Sequence, residues 1–431
     1  MYICTLEEER IMHVLLINTS EKTGGAAIAC NRLMEALNKN GIKAKMLVRD
    51  KQTDDMRVAQ TKDSWKQRFN FLWERFLIFL NNRLHKKGIF LVDIANVGTD
   101  VTELEEFKEA DIIHLHWTNQ GFLSLSSLRK IMESSKPVVI TMHDQWYFTG
   151  ICHYSNDCIK YQSFCTNCEQ LKGGGITDVA RRIYEKKRKM YADADVTFVG
   201  CSKWIAELAA KSNLTKGKFI TNIPNAIDTN VFHPLDSDES RKHFNLPTDR
   251  KLLLFGAQRI TDERKGFKYL VEACERIKEQ QPGVFHELGV VVVGDKSEEV
   301  NKMLPLPVFT VPYISDEHEM VKLYNAVDIY VTPSLQDNLP NTIVEAMSCG
   351  TPCVGFNVGG IPEMIDHEKN GYVAEYLDAI DFAKGIVWTL SINNYKELCT
   401  AAHEKATSTY SESSVARKYT EIYDNACHSN I

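Results

Sequence analysis

The chain alternates short apolar runs with longer segments in which apolar residues recur every three or four positions. In the first half, the runs with the composition of buried strands are Met12–Asn18, Lys43–Val48, Asp111–Leu115, Pro137–Met142 and Val196–Gly200. Helical patterns lie between them, for example over residues 26–40. Strands separated by helices predict right-handed strand–helix–strand units and a parallel sheet.

The second half repeats this alternation. Its predicted strands are Lys251–Gly256, Leu288–Gly294, Val308–Val311, Asp328–Thr332 and Pro352–Phe356, and its clearest helices are Gly266–Gln281 and Asp316–Ala326. Between the halves, Pro224–Pro234 breaks both periods and is predicted to be a hinge. The pattern predicts an α/β protein of two doubly wound, Rossmann-like domains, with the ligand site in the cleft between them.

The predicted domains span residues 12–225 and 226–410, after an N-terminal extension at residues 1–11. Residues 411–431 form a C-terminal helix that the sequence does not assign to either domain.

Composition narrows the class of protein. A chain of 431 residues with 44% hydrophobic content can bury two cores. A net charge of −6 argues against a nucleic-acid-binding protein. The sequence contains no run of about eighteen apolar residues, so no transmembrane helix is expected. The start, MYICTLEEER, lacks the basic and apolar regions of a signal peptide. We expect a soluble, cytoplasmic enzyme.

Two carboxylates, Asp337 and Glu345, lie in the segment QDNLPNTIVEAMSCGTP. Asp337 is in a polar loop after one predicted strand, and Glu345 is on a helix predicted to begin at Thr342. Open α/β sheets bind ligands at the carboxyl ends of their strands. Arg259 and Lys265 follow another strand and suit a diphosphate. The helix start would direct backbone N–H groups at the same anion. These residues predict a nucleotide-diphosphate site, and the alternative is that they all face solvent.

The segment PSLQDNLPNTIVEAMSCGTPCVGFNVGGIPEMI resembles the donor-binding signature of the retaining GT-B glycosyltransferases, a group typified by bacterial polysaccharide glycosyltransferases. The resemblance extends over residues 12–425. It implies transfer of a sugar, with retention, from a nucleotide diphosphate sugar to a hydroxyl of a glycan or lipid-linked glycan. It also implies a role in polysaccharide biosynthesis, such as capsule, exopolysaccharide or O-antigen, and no metal for catalysis.

The resemblance assigns roles to single residues. Glu345 would bind the ribose, and Asp337, where the family has glutamate, would contact the transferred sugar. Arg259 and Lys265 would hold the diphosphate. The remaining residues that the resemblance places at the donor are Asn338, Leu339 and Thr342.

In the first domain, Gly24 and Gly25 follow the first strand. By resemblance, their loop lies under the donor phosphate and lines the acceptor pocket, and His143 contacts the transferred sugar as a catalytic residue. We expect only one of His114 and His116, at a strand end, to face the ligand. A metal hydrolase is the alternative for these histidines, but no suitably spaced Asp or Glu accompanies them.

Four cysteines, Cys152, Cys158, Cys165 and Cys168, fall within an insertion at residues 150–170. Thiols this close together in a reducing compartment favour a structural zinc site over disulfides.

Trp65–Lys87 carries six Lys or Arg and one Glu, with apolar residues at helical spacing. With the basic stretch Arg181–Lys189 it would bind an anionic membrane surface. The alternative is an amphipathic helix packed on its own sheet.

Two other functions compete with sugar transfer. A nucleotide-sugar epimerase would use the same cleft, and a non-catalytic GT-B subunit would bind nucleotide without transfer. A dehydrogenase is excluded because no GxGxxG loop follows the first strand.

Overall fold

In a computed structural model, the described residues are 11–62, 64–259, 262–295, 299 and 302–428. For residues 64, 257–259, 295 and 428 only the backbone is described. Residues 1–10 of the predicted extension lie outside this description. The chain forms two compact units. The first unit comprises the described residues up to Ile223 together with the segment that begins at Val415. The second unit comprises Pro224–Ser414. The boundary coincides with the start of the predicted hinge.

The first unit is built on a parallel sheet of seven strands in the order β3-β2-β1-β4-β5-β6-β7. The order reverses beside β1, which is the arrangement of Rossmann-like sheets. The strands are β1 (His13–Ser20), β2 (Lys43–Asp50), β3 (Val58–Gln60), β4 (Ile112–Leu115), β5 (Val138–Met142), β6 (Val196–Gly200) and β7 (Ile220–Asn222).

Helices cover this sheet and enclose its core. They are α1 (Gly25–Lys39), α2 (Ser64–Asn81), α3 (Glu105–Glu109), α4 (Leu125–Met132), α5 (Val179–Ala192) and α6 (Lys203–Ala210), with 3₁₀ turns at Trp146–Phe148 and Lys160–Gln162. Side chains at the first position outside a helix fix where α4 and α5 begin: Ser124 accepts from the Ser127 N–H, and Asp178 accepts from the Arg181 N–H.

The second unit has a parallel sheet of six strands in the order β10-β9-β8-β11-β12-β13. Its strands are β8 (Lys251–Arg259), β9 (Leu288–Asp295), β10 (Val308–Val311), β11 (Ile329–Thr332), β12 (Cys353–Phe356) and β13 (Gly371–Ala374). Its helices are α7 (Ser237–His243), α8 (Phe267–Gln280), α9 (Pro282–Glu287), α10 (Glu317–Asn325), α11 (Asn341–Ser348), α12 (Ile361–Met364), α13 (Ala379–Ser391) and α14 (Tyr395–Tyr410), with a 3₁₀ turn at Glu263–Lys265.

The last helix, α15 (Glu412–His428), belongs mainly to the first unit. Its Tyr423 hydroxyl lies 2.7 Å from His114 Nδ1, and its Tyr419 hydroxyl lies 2.8 Å from Thr141 Oγ1. Both tyrosines are buried. The structure thus answers the question that the sequence left open about residues 411–431.

Each strand predicted from the apolar runs is present, and both sheets are parallel, so the predicted fold class is confirmed. The sequence analysis missed β3, β7 and β13. No helix among the described residues combines the length and the apolar character needed to cross a bilayer.

Candidate functional site

The predicted donor residues lie at one edge of the second sheet. Strand β11 pairs with β8 on one side and with β12 on the other, so the carboxyl ends of these three strands meet. The segment after β8 leads to Lys265, the loop after β11 carries Asp337, and the turn after β12 contains Gly359 and Gly360. The topology therefore places segments from distant parts of the sequence side by side.

Two glycines allow these segments to pack closely. Gly266 has φ +69°, and a Cβ there would lie 1.8 Å from the Pro333 carbonyl oxygen. Gly359 has φ +61°, and a Cβ there would lie 1.8 Å from the Asp337 carbonyl oxygen. Any side chain at either position would collide with backbone of the loop after β11. The glycines are therefore required for the position of Asp337.

Lys265 and Asp337 are in direct contact. Lys265 Nζ donates to Asp337 Oδ2 at 2.8 Å, and both side chains are largely but not fully buried. The sequence analysis named the two residues as ligands of different parts of the donor. The structure brings them together as an ion pair that keeps some access to solvent.

Glu345 is buried on α11, where the Tyr324 hydroxyl donates to its Oε2 at 2.8 Å. A second tyrosine, Tyr330, donates to Thr342 Oγ1 at 2.8 Å. Burial raises the pKa of both tyrosines, and the nearby Asp337 and Glu345 raise the pKa of Tyr330 further. Both hydroxyls therefore stay protonated and can donate. The sequence analysis missed both tyrosines, although they lie on a predicted helix and a predicted strand.

The remaining predicted donor residues lie at the start of α11, in the loop before it and at the end of β8. Helix α11 begins at Asn341, one residue before the predicted start, and Pro340 at the capping position supplies no side-chain hydrogen bond. Asn338 and Leu339 are buried in the preceding loop. Arg259 is the last residue of β8, and its side chain lies outside the described part of the chain. Its role at a diphosphate stays a prediction.

In the first unit, the predicted residues follow strands β1 and β5. Strand β4 lies between β1 and β5. Gly24 follows β1 with φ +93°, a Cβ on it would meet open space, and Gly25 begins α1. His143 directly follows β5. The loop of Gly24 is therefore open enough for a ligand to approach its backbone.

His143 is part of a chain of polar side chains. Its Nε2 lies 2.9 Å from His116 Nδ1, and its Nδ1 lies 3.3 Å from Cys201 Sγ. The rings of His114 and His116 are 4.3 Å apart, and both residues are buried. The premise that these two residues alternate across the strand is wrong, because residues two apart on a strand project from the same face; which of them faces a ligand stays a prediction.

The protonation of these histidines follows from their burial. Burial lowers the pKa of His143 to about 4 and the pKa of His114 to about 3, and it also lowers the pKa of His116. His153 differs: burial opposes its charge, but Asp144 and Asp93 outweigh burial and raise its pKa to about 9. At neutral pH, His143 is therefore neutral and His153 is charged.

The four cysteines of the insertion line one cavity of ≈ 30 Å³. Burial raises the pKa of Cys152, Cys165 and Cys168 to about 12 each, so these thiols are protonated. Within the part of the chain that the structure describes, no three His, Cys, Asp or Glu side chains are grouped closely enough to hold a metal ion. The cysteines share a cavity without the geometry of a zinc site, and the zinc stays a prediction.

Comparison with protein families matches both units. The model described as "Glycosyltransferase Family 4" matches residues 23–231, and the model described as "Glycosyl transferases group 1" matches residues 249–391. An uncharacterized glycosyltransferase of Methanocaldococcus jannaschii is 26% identical over 77% of this chain and 89% of its own length. In two other relatives the match spans 52% and 54% of the relative's own length.

Solved structures share the fold of the whole chain. Sucrose-phosphate synthase from Thermosynechococcus elongatus aligns with a TM-score of 0.67 and 19% identity, over 97% of this chain and all of that protein. Anabaena HepE, solved in complex with UDP-glucose, aligns with a TM-score of 0.62 and 15% identity, over 96% of this chain and 100% of its own. At these identities the likeness establishes the GT-B fold.

Proposed function

The chain belongs to the group 1 glycosyltransferases, and we propose that it transfers a sugar from a nucleotide diphosphate sugar to a hydroxyl of a glycan or lipid-linked glycan. In this proposal the anomeric configuration is retained, and the enzyme acts in polysaccharide biosynthesis at the cytoplasmic side of a membrane. The observation that carries the proposal is the convergence of Lys265, Asp337 and α11 with Glu345 at one edge of the second sheet.

The diphosphate is the leaving group in this reaction. Lys265 and Arg259 would stabilise the negative charge that develops on it, and the N-terminal amides of α11 would add the favourable end of the helix dipole. Lys265 already has a carboxylate partner in Asp337. A bound diphosphate and Asp337 would both contact Lys265. The position of the phosphate would therefore depend on Asp337, the carboxylate that is assigned to the sugar. Positive side chains supply the charge stabilisation, so the proposal needs no divalent cation.

The carboxylates and His143 orient the two ends of the donor. Glu345 would accept hydrogen bonds from the ribose hydroxyls, while Tyr324 fixes the position of its carboxylate. Asp337 would bind hydroxyls of the transferred sugar, and the family resemblance also assigns a sugar contact to His143, which is neutral. A neutral imidazole can donate or accept a hydrogen bond without adding charge at the reacting carbon. The leaving phosphate would accept the proton of the attacking hydroxyl on the same face of the sugar.

A thermal-shift screen of nucleoside diphosphates and their sugars tests the proposal, beginning with UDP and UDP-glucose, the ligand of the HepE structure. We expect one base to stabilise the protein, and Glu345→Ala to abolish that shift. Glu397→Ala, which removes an exposed glutamate of α14, is the matched control and should leave the shift unchanged.

Product analysis then separates sugar transfer from its alternatives. Release of nucleoside diphosphate that depends on an added glycan acceptor, with a product that keeps the donor's anomeric configuration by NMR, supports the proposal. Isomerisation of the donor alone would identify an epimerase, and binding with neither transfer nor hydrolysis would identify a non-catalytic subunit. No shift with any nucleotide would contradict nucleotide-sugar binding itself.

A further inference from the structure

Helix α2 presents its apolar side to solvent. Six of its large apolar residues are exposed, with exposed fractions that range from 39% at Trp73 to 83% at Trp65. They recur every three or four positions and therefore form one stripe along the helix. The members of this stripe are Trp65, Phe69, Leu72, Trp73, Phe76 and Leu80. The structure thus rules out the alternative that this face packs on the sheet of its own unit.

The buried side of α2 is largely polar, although Ile78 on it belongs to the core of the first unit. Glu74 Oε1 accepts from the backbone N–H groups of Ile94 at 3.1 Å and Ala95 at 2.6 Å. Arg75 donates to the Ile89 carbonyl at 2.6 Å and forms an ion pair with Asp93 at 3.0 Å. A typical surface helix buries its apolar face and exposes its polar face. Helix α2 is largely reversed: hydrogen bonds and ion pairs, together with the buried side chain of Ile78, hold it while its apolar stripe stays uncovered.

Further apolar and basic residues adjoin the end of α2. Arg182 Nη2 donates to Asn81 Oδ1 at 3.3 Å, and the Lys172 N–H donates to Asn82 Oδ1 at 2.8 Å. These contacts place the start of α5, and with it the basic stretch Arg181–Lys189, beside the end of α2. Exposed apolar side chains in the neighbouring loops are Leu84, Phe90, Leu91 and Ile176.

Within the described segment Trp65–Lys87, the exposed charges are all of one sign. Within Trp65–Lys87, the acid Glu74 is buried together with Arg75. The exposed charged side chains of this segment are therefore five cations, Lys66, Arg68, Arg83, Lys86 and Lys87. Helix α5 adds the exposed cations Arg182, Lys186, Arg188 and Lys189.

We propose that the α2 stripe and its surrounding cations dock the protein on an anionic lipid bilayer. Aromatic and aliphatic side chains enter the boundary between headgroups and acyl chains, and each nearby cation strengthens binding by about fivefold. The charge of the surface favours an anionic bilayer over a second copy of the chain. Two copies that met through this surface would bring their cations together, and like charges repel. The surface lies on the first unit, and the inference does not depend on the proposed sugar transfer.

Vesicle flotation of the full chain tests the proposal. We expect flotation with phosphatidylcholine vesicles that contain phosphatidylglycerol, weakening as salt is raised, and little flotation with phosphatidylcholine alone. Lys66→Glu with Arg68→Glu, and separately Phe69→Ser with Phe76→Ser, should each reduce partitioning by at least about tenfold.

The matched controls lie on the second unit. Lys242→Glu with Lys396→Glu changes two exposed cations, and Tyr313→Ser with Ile380→Ser removes two exposed apolar side chains. Both controls should float like the unchanged protein. All the substituted side chains are exposed, so thermal unfolding should be unaltered in every variant. Any nucleotide-induced thermal shift should also persist, which separates failure of this proposal from failure of the proposed function.

Two results would overturn the proposal. The first is flotation that is equal on neutral and anionic vesicles and insensitive to Lys66→Glu with Arg68→Glu. The second is absence of vesicle binding together with concentration-dependent dimers that Phe69→Ser with Phe76→Ser abolishes, which would identify a second copy as the occupant. Quenching of tryptophan fluorescence by brominated lipid, reduced in Trp65→Phe with Trp73→Phe, would support insertion of the stripe independently.

Discussion

Lys265 and Asp337 neutralise each other across 2.8 Å, and this pairing affects how each of them meets a diphosphate. A carboxylate beside a phosphate group repels it, whereas the lysine attracts it. Asp337 therefore lowers the affinity for nucleotide, and Lys265 raises it. If Asp337 binds the sugar as proposed, removing its charge should lower turnover while it raises the affinity for nucleotide.

Asp337→Asn is predicted to bind the nucleoside diphosphate a few-fold more tightly, because it removes a negative charge and frees Lys265 from its carboxylate partner. Turnover should fall by at least about tenfold, since the neutral amide loses a charge-assisted hydrogen bond to the sugar. Calorimetry with nucleoside diphosphate and initial rates with donor and acceptor measure the two effects. Weaker nucleotide binding would contradict this assignment.

Glu345→Gln is predicted to weaken donor binding by roughly tenfold or more, because hydrogen bonds to a charged group are each worth about 1.5–3 kcal/mol. The change preserves the shape of the side chain beside Tyr324. Glu397→Gln, on an exposed face of α14, serves as the control. Equal binding by both variants and the unchanged protein would remove Glu345 from the donor site.

The buried histidines predict how stability depends on pH. His143 has a pKa of about 4 in the folded protein, below the usual value near 6.5 of an unfolded chain. Between these values the unfolded chain binds a proton that the folded chain does not. Each such histidine therefore lowers the free energy of unfolding by up to about 1.4 kcal/mol per pH unit as pH falls from about 6.5 to 4. His153, whose pKa is raised, contributes its full stabilisation throughout this acid range.

His143→Gln should accordingly reduce the acid dependence of stability over this range. Denaturant unfolding at a series of pH values measures the slope, and exposed His318→Gln provides the comparison. An unchanged slope in His143→Gln would mean that this ring is protonated in the folded state.

At the scale of elements, the sequence was most informative where strands are long and buried on both faces. Strands such as β1, β5 and β11 read as continuous apolar runs, and the carboxyl ends of β5 and β11 located His143 and Asp337 correctly. Strands β3 and β7 escaped prediction because three residues give too short a pattern, and β13 because its four-residue run begins with Gly371, a residue type that is depleted in strands. The contact between Lys265 and Asp337 could not be predicted either, because it depends on glycine turns packing against backbone that is distant in sequence.

The reversed helix α2 shows a different limit. Its apolar spacing was visible in the sequence. Periodicity predicts that a helix has an apolar face, but it does not predict whether that face points to the core or to solvent. That direction is set by Glu74 and Arg75, whose partners Ala95 and Asp93 belong to a later segment of irregular structure. A helix held mainly by polar residues cannot be distinguished by pattern alone from one held by its apolar stripe.

The cysteine insertion carries the prediction of a structural zinc. The thiols of Cys152, Cys165 and Cys168 are protonated in the described geometry, so zinc would displace protons and draw the sulfurs inward from the walls of the shared cavity. We expect one zinc per chain by elemental analysis, lost in Cys165→Ser with Cys168→Ser and kept in Cys427→Ser. Full-length protein with less than one zinc and four rapidly titrating thiols in the insertion would contradict the prediction.

At the scale of the whole molecule, the first unit is completed by the far end of the chain. Helix α15 supplies buried side chains and the hydroxyl partner of His114. The sequence identified this helix but gave no sign of its destination, because its apolar face could cover either sheet. Only the contacts of Tyr419 and Tyr423 decide between them.

Truncation after Ser414 is therefore predicted to destabilise the first unit selectively, by at least about 3 kcal/mol, since loss of one large buried side chain alone costs that much. Differential scanning calorimetry should show an earlier first-unit transition, with the second unit little changed. Tyr423→Phe should give a smaller loss of about 1–3 kcal/mol, because it leaves His114 Nδ1 without its partner. A single unaltered transition after truncation would contradict this account.

The return of α15 to the first unit also orders events on the ribosome. Domains of most proteins fold in turn from the N-terminus as they are synthesised. Here the second unit, Pro224–Ser414, is entirely synthesised before residues 415–428 exist. The nascent first unit therefore waits with the pocket around His114 uncovered while its neighbour is made, and the last-translated helix closes it. This chain reverses the usual sequence, because the domain begun first is the one finished last.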